Sequence, residues 1–408
     1  MRTMQKTIVS ITPINVAADS RTFKIAASFT RFGYRSIVLE GGRSDLDLRS
    51  LPFELLSLGT IGPVRQEEPI SLRKKTERLL KKYLKKYFPE RLHSILRGAL
   101  SFRNYTTSYV LSTSRAIPPA SLYYLHAPYQ FPAVYWKAKR YGAPIIYDAH
   151  DFYSVLYQGS HSFYKRLERW CISKSAVVVT VSDGVARLME QEFGCQPIVV
   201  RNCQDGRLQK NSSRRLRDKL GLPSDAFLLV TIGTAKNGQA VTEALAALAA
   251  LPRSVHIAFV GAGYEQYLGI IEKYGLKDRA HPVSPVRPDE VVSFIRGADV
   301  ALILYYSLHV NYENCLPNGF FQSVSAHLPL LYPELPEIRK ISEEYKLGFP
   351  INPLSIESIK TGVNKFLQNP GRLREYKENS QRASQMLSWE QEEEILQGIV
   401  YKVLKPQL

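Results

Sequence analysis

Short β-branched runs alternate with helix-period segments along this chain, first in one series and then in a second. The first series opens with Thr7–Thr12, a helix from about Ser20 to Phe32, and a run at Ser36–Gly41. Phe23, Ile25, Ala26 and Phe29 fall at helical spacing between those runs. The pattern resumes at Ser121–Ala127, a helix over about 132–141, Ala143–Asp151, Ser175–Ser182, a helix over 183–193, and Pro197–Asn202. Cys203–Asp218 is polar and charged and reads as a linker. The second series holds Phe227–Gly233, an alanine-rich helix at Ala240–Leu251, Val255–Gly261, a helix at Tyr264–Tyr274, Ala298–Tyr306, a helix after Pro317, and Leu328–Pro333. Runs joined through helices pair in parallel and bury both faces of the sheet. Two such series predict an α/β protein of two Rossmann-like, doubly wound domains facing a cleft, with ligands outside the carboxyl ends of the strands. A length of 408 residues, more than one hydrophobic core supports, agrees. The expected domains are 1–202, 203–380, and a C-terminal helix over 381–408 that returns to the first.

Charge adds a partner class. Lys and Arg number 54 against 37 Asp and Glu, a net +17, which favours anionic partners. Ser71–Arg103 alone carries eleven basic and two acidic residues, a net +9. There Leu72, Leu79, Leu80, Tyr83, Tyr87 and Phe88 form an apolar helical stripe beside Lys74, Arg78, Lys81, Lys82 and Lys85. A basic amphipathic helix with aromatics suits an anionic membrane surface; its bland alternative is a solvated helix packed on its own domain. No nucleic-acid-binding motif accompanies the charge. Cys171, Cys195, Cys203 and Cys315 form no CxxC pair, which argues against a disulfide framework or structural zinc. No run of apolar residues is long enough to span a bilayer, and the N-terminus reads as a first strand rather than a signal peptide. A cytoplasmic protein, peripheral on the inner face of the membrane, is expected.

Local sequences narrow the function. VVVTVSDGVARLMEQEFG (177–194) with PIVVRN (197–202), LRDKLGLPSDAFLLVTIG (216–233), the stretch 255–306, IIYDAHDFYS (145–154) and LPNGFFQSVSAHLPLLYPELPEI (316–338) follow one another in an order that resembles glycosyltransferase family 4. The resemblance covers nearly the whole chain except about 51–119. It implies the GT-B fold and sugar transfer from a nucleotide-sugar donor, UDP- or GDP-linked, with retention of anomeric configuration. It further implies a lipid-linked or polysaccharide acceptor in bacterial surface-glycan biosynthesis, with no cofactor beyond the donor. No metal-binding DxD motif stands at a suitable place, since Asp45–Asp47 falls too early, so transfer without a metal is expected.

Charge grows on the leaving phosphate during transfer, so cations and backbone N–H groups belong there. Pro317, Asn318 and Gly319 open a helix whose first-turn N–H groups suit an anion, with Asn318 a candidate cap. Leu316 precedes them. The resemblance implies donor contacts for Gly233, Thr234 and Lys236 after the first strand of the second series, with Lys236 the best diphosphate cation and Arg201 a second. It also implies that Gly261, Gly263 and Val286 line the base and ribose side. Family members carry acidic residues where this chain has Asn314 and Gln322, a basic residue where it has Gly319, and Asp where it has Ala127. In the first domain, His126, His150 and Asp151 stand at strand ends, where the resemblance implies contact with the acceptor or the donor sugar. Catalytic candidates are therefore His126, His150, Asp151 and Lys236. Two other readings stay open: a non-catalytic GT-B scaffold or glycan-binding partner, and an epimerase of the same fold acting on a nucleotide sugar.

Overall fold

The computed structural model describes residues 5–58, 105–155 and 161–405. The basic segment Ser71–Arg103 lies outside the described residues. Two compact units emerge: Met1–Val179 with Val400–Leu408, and Thr180–Ile399.

The first sheet has the order β3-β2-β1-β4-β5-β6-β7. Its strands are β1 (Thr7–Thr12), β2 (Arg35–Glu40), β3 (Glu54–Ser57), β4 (Leu122–Leu125), β5 (Ile145–Ala149), β6 (Val177–Thr180) and β7 (Ile198–Val199). The central strand β1 pairs in parallel with β2 and β4, and every residue from Ile8 to Thr12 is buried. Such burial on both faces explains why these strands read as continuous apolar runs. Among the described residues the α-helices beside them are α1 (Ser20–Arg31), α2 (Ser112–Ala116), α3 (Phe131–Tyr141) and α4 (His161–Lys174). Asp19 caps α1 by accepting from Thr22 N.

The second sheet has the order β10-β9-β8-β11-β12-β13: β8 (Phe227–Ile232), β9 (Val255–Val260), β10 (Ala280–Val283), β11 (Val300–Leu302), β12 (Leu330–Pro333) and β13 (Gly348–Ile351). The helices of this unit are α5 (Asp183–Phe193), α6 (Leu216–Leu220), α7 (Val241–Ala249), α8 (Leu268–Lys273), α9 (Val291–Ile295), α10 (Val310–Asn314), α11 (Asn318–Ser325), α12 (Pro336–Glu344), α13 (Ile356–Gln368) and α14 (Pro370–Met386), followed by α15 (Trp389–Leu404). Apolar layers lie on both faces of the sheet, one including Leu228, Val230, Phe320 and Leu330, the other Leu229, Ile257, Leu245 and Val363.

The compact units divide at Val179 rather than at 202, and α5 is the reason. Ser182 caps it and also donates to Asn314 O at 2.6 Å. Asp183 meets Lys340 at 2.7 Å and Arg187 meets Glu337 at 2.8 Å, so this helix is tied to α10 and α12. The C-terminal helix α15 is shared: residues to Ile399 count with the second unit and those from Val400 with the first.

Candidate functional site

The candidate residues form two clusters, one in each unit. In the second unit the loops after β8 and β9 meet the first turn of α11. Gly261 lies so close to Gly233 that a Cβ there would stand 2.0 Å from Gly233 O. A Cβ on Gly319 would stand 2.9 Å from Ile232 O. No side chain fits at either place, which is why glycine occupies both. Gly233 N donates to Val260 O at 3.0 Å, Ala235 N to Ala262 O at 2.8 Å, and Gly261 N to Val283 O at 2.9 Å. Gly263 sits against Ala235. Thr234 and Lys236 are exposed on this rim; the Lys236 Nζ stands 5.7 Å over the Tyr305 ring, and its backbone N donates to Gln239 Oε1 at 3.1 Å.

Asn318 does not cap α11. Pro317 occupies the N-cap position with no side-chain cap bond, and Asn318 Oδ1 instead accepts from Asn202 Nδ2 at 2.6 Å. The first-turn N–H groups keep no intrahelical acceptor apart from the Phe320 N to Pro317 O bond, so the helix start still offers donors to an anion. Arg201, next to Asn202, is shared by Asp183 at 3.7 Å and Glu392 at 3.5 Å. Leu316 and Val286 belong to the apolar packing, Leu316 within the core and Val286 against it. Asn314 has its amide engaged elsewhere: Nδ2 donates to Val310 O at 2.8 Å, and Oδ1 lies against Gly184 so closely that a Cβ there would stand 2.3 Å away. Gln322, half-buried on α11, makes no hydrogen bond through its amide among the described residues.

In the first unit the cluster is charged and buried. Arg21, on the first turn of α1, holds Asp148 of β5 with two bonds, Nε to Oδ2 at 2.9 Å and Nη2 to Oδ1 at 2.8 Å. The same Oδ2 lies 3.5 Å from His126 Nδ1 and 3.4 Å from His150 Nε2, and the two rings meet Nδ1 to Nε2 at 3.1 Å. Asp19 sits beside them, accepting from Thr12 Oγ1 at 3.0 Å. Burial alone would raise the Asp148 carboxyl, yet Arg21 first and then His150 hold it well below the usual range. Burial drives His126 down, towards the neutral ring. Burial also pushes His150 down, but Asp148 and Asp19 outweigh it and the ring rises above its ordinary value. His126 Nδ1 faces both Asp148 Oδ2 and His150 Nε2, and its Nε2 is buried with no hydrogen-bond partner among the described residues. His150 alone reaches solvent, with a fifth of its side chain exposed. It is the outer end of a chain of charges and can donate to a hydroxyl or phosphate oxygen.

His126, Asp148 and His150 offer ligand atoms within 4.8 Å of one another, close enough to share a cation. The Arg21 fork already matches the Asp148 charge, so the set does not present a free carboxylate to a metal. Half-buried Asp151 lies beyond the strand end, where its charge helps raise Glu168. Arg21, Asp19 and Asp148 went unnoticed in the sequence. The available signal was Asp148 itself, a charge inside an apolar strand, which is tolerated only when paired.

The model described as Glycosyltransferase Family 4 matches residues 69–205, and the one described as Glycosyl transferases group 1 matches residues 212–383. The chain belongs to the family 4 glycosyltransferases. Among solved structures it is similar to a sucrose-phosphate synthase from Thermosynechococcus elongatus, at 14% identity and TM-score 0.69 over 98% of this chain and 99% of that one. Anabaena HepE in complex with UDP gives 13% identity and TM-score 0.69 over 98% and 100%. WaaG, a glycosyltransferase involved in lipopolysaccharide biosynthesis, gives 16% identity and TM-score 0.61 over 96% and 99%. No curated protein matches the sequence. At these identities the structural likeness establishes the GT-B fold of this glycosyltransferase. Among its described residues, no helix is long and apolar enough to cross a membrane.

Proposed function

We propose that this glycosyltransferase moves a sugar from a nucleoside-diphosphate sugar to a lipid-linked or polysaccharide acceptor, with retention and without a metal, in bacterial surface-glycan assembly. The observation that carries the reading is the meeting of Gly233, Gly261 and Gly319 at the start of α11. Backbone this bare, beside unsatisfied helix N–H groups and the exposed Lys236, suits a diphosphate that gains charge as the sugar leaves. Anabaena HepE structures hold UDP, and UDP with glucose, which supports a uridine donor. WaaG, from lipopolysaccharide biosynthesis, supports a glycan acceptor. In this reading His150 donates to a sugar or acceptor hydroxyl, and Asp148 orients it from behind. Arg21, by matching the Asp148 carboxylate, supports chemistry run by cationic side chains and backbone rather than by a metal. The protein would act at the cytoplasmic face of the membrane.

A second reading, a GT-B protein that binds its partner without turnover, is favoured by one observation. Asn314 stands where the family carries an acid; its Nδ2 donates to Val310 O and its Oδ1 packs against Gly184. Calorimetry with UDP, GDP and ADP separates the two: binding of one nucleotide supports the transferase, and silence towards all three supports the scaffold. A screen of UDP- and GDP-sugars with extracted lipid-linked acceptor, run with and without chelator, then tests turnover and metal dependence. Turnover abolished by chelator and restored by Mg²⁺ would overturn the metal-free claim.

A further inference from the structure

Helix α3 presents an aromatic and basic face that neither cluster uses. Trp136 is 63% exposed and Tyr141 42% exposed, whereas the same helix buries Phe131, Ala133, Val134 and Ala138. Lys139 and Arg140 follow Trp136 at i+3 and i+4, on one helix face. Lys139 Nζ stands 5.8 Å from the Trp136 ring, and the Arg140 guanidinium 5.9 Å from the Tyr141 ring. Among the described residues Lys137, Lys139 and Arg140 make no ion pair.

Along this stretch of the sequence the formal charges are of one sign. No Asp or Glu occurs from Tyr105 to Tyr147. α3 packs against α2 on one side and α4 on the other, with Trp170 of α4 at 4.8 Å from Phe131 and 5.4 Å from Tyr135. The one acid of α4, Glu168, is fully buried and held protonated to about pH 8 by burial. Arg115 on α2 and Arg166 and Lys174 on α4 are exposed basic residues of the neighbouring helices. A large exposed aromatic flanked by unpaired cations is how a protein seats rings at headgroup level and charges at the phosphates.

We propose that the α2–α3–α4 side of the first unit, centred on Trp136, Lys139 and Arg140, is a contact surface for an anionic membrane. The inference rests on the lipid-linked acceptor reading and gives the membrane partner an address separate from Ser71–Arg103. The uniform positive charge selects lipid phosphates over a mixed-charge protein surface.

The test is sedimentation of the full chain with phosphatidylcholine vesicles, with and without phosphatidylglycerol, at low and high salt, alongside quenching by brominated lipid. Wild type is expected to bind only the phosphatidylglycerol vesicles, to be released by salt, and to be quenched through Trp136. The double variant K139E/R140E is expected to bind at least about tenfold more weakly, on the order of a fivefold loss for each cation, with its melting temperature unchanged because both residues are exposed. Trp136→Phe is expected to lose the quenching. If K139E/R140E binds like wild type and brominated lipid leaves the emission unchanged, the α3 face is overturned while the membrane reading stands. If wild type ignores the anionic vesicles altogether, the membrane reading falls and this surface with it. Binding of single-stranded RNA instead of vesicles, lost in the same variant, would reassign the face to nucleic acid and overturn the lipid proposal.

Discussion

At the strand ends of the first unit, Arg21, Asp148, Asp19 and two histidines are buried together and hold one another in place. At the strand ends of the second, Gly233, Gly261 and Gly319 bring bare backbone together and leave Thr234 and Lys236 exposed on the rim. The first arrangement sets protonation states, because each charge in low dielectric is fixed by its neighbours. The second sets shape, because the missing Cβ atoms let backbone pack directly on backbone beside the open start of α11. A transferase needs both: a tuned proton donor for hydroxyls, and an uncharged cradle that does not repel a diphosphate.

The sharpest break of this comparison is Arg21→Met. It takes away the two-bond guanidinium partner of buried Asp148 and leaves only the histidines beside it, with an expected loss of about 3–5 kcal/mol of unfolding free energy, read by urea denaturation. UDP affinity of the folded protein should stay unchanged; a parallel collapse of UDP binding would show that the clusters are not separable. Gly261→Ala is the converse. The new methyl meets Gly233 O, and the expected effect is about 1–3 kcal/mol of destabilisation together with loss of UDP binding in calorimetry. His150 should titrate as before when followed by NMR.

Glu168 sharpens the contrast within the first unit. Unlike Asp148 it forms no ion pair among the described residues, and burial lifts its acid from 4.5 to about 8. The folded state therefore keeps a proton that the unfolded state loses above pH 4.5. The resulting stabilisation is complete below that value and fades as pH rises to about 8. Glu168→Gln removes this contribution, so the unfolding free energy of wild type, read by urea denaturation, should fall between about pH 5 and about pH 9 by a few kcal/mol more than that of the variant, which keeps only the slope of other groups such as the raised His150. A wild-type curve as level as the variant's would remove the buried acid from the account. Lys236→Ala carries the smallest effect. Its ammonium is exposed, and UDP affinity should weaken about tenfold or less, with stability unaltered; no change in affinity would leave the backbone as the whole diphosphate site.

Much of this was legible before the structure. The strands at Thr7–Thr12, Ile145–Ala149 and Phe227–Ile232 announced themselves as short apolar runs between helices, because parallel strands buried on both faces have nowhere to put polar residues. Strand-end logic and the family pattern put His126, His150, Lys236 and the three glycines at the ends of strands or the start of a helix, which is where they lie, while their roles belong to the proposal above. Arg21 was hidden because its partner lies 127 residues away, and no local period links an arginine on a first helix to an aspartate on a fifth strand. Asn318 read as a cap for the right residue type, but Pro317 took the N-cap position and Asn202 took its oxygen. Leu316 and Val286 are apolar residues in apolar surroundings, and only packing shows that they face the core.

Alone, then, the sequence determined the two α/β units and the glycine positions, since side-chain period and the absence of a Cβ are properties of each residue where it stands. Tertiary structure decided which charges meet. His126 becomes the neutral ring and His150 the protonated one because Asp148, Arg21 and Asp19 surround them unequally, and Trp136 stays exposed because α3 buries its opposite face. Electrostatics and exposure depend on neighbours that are distant in the chain, and folding alone brings them together.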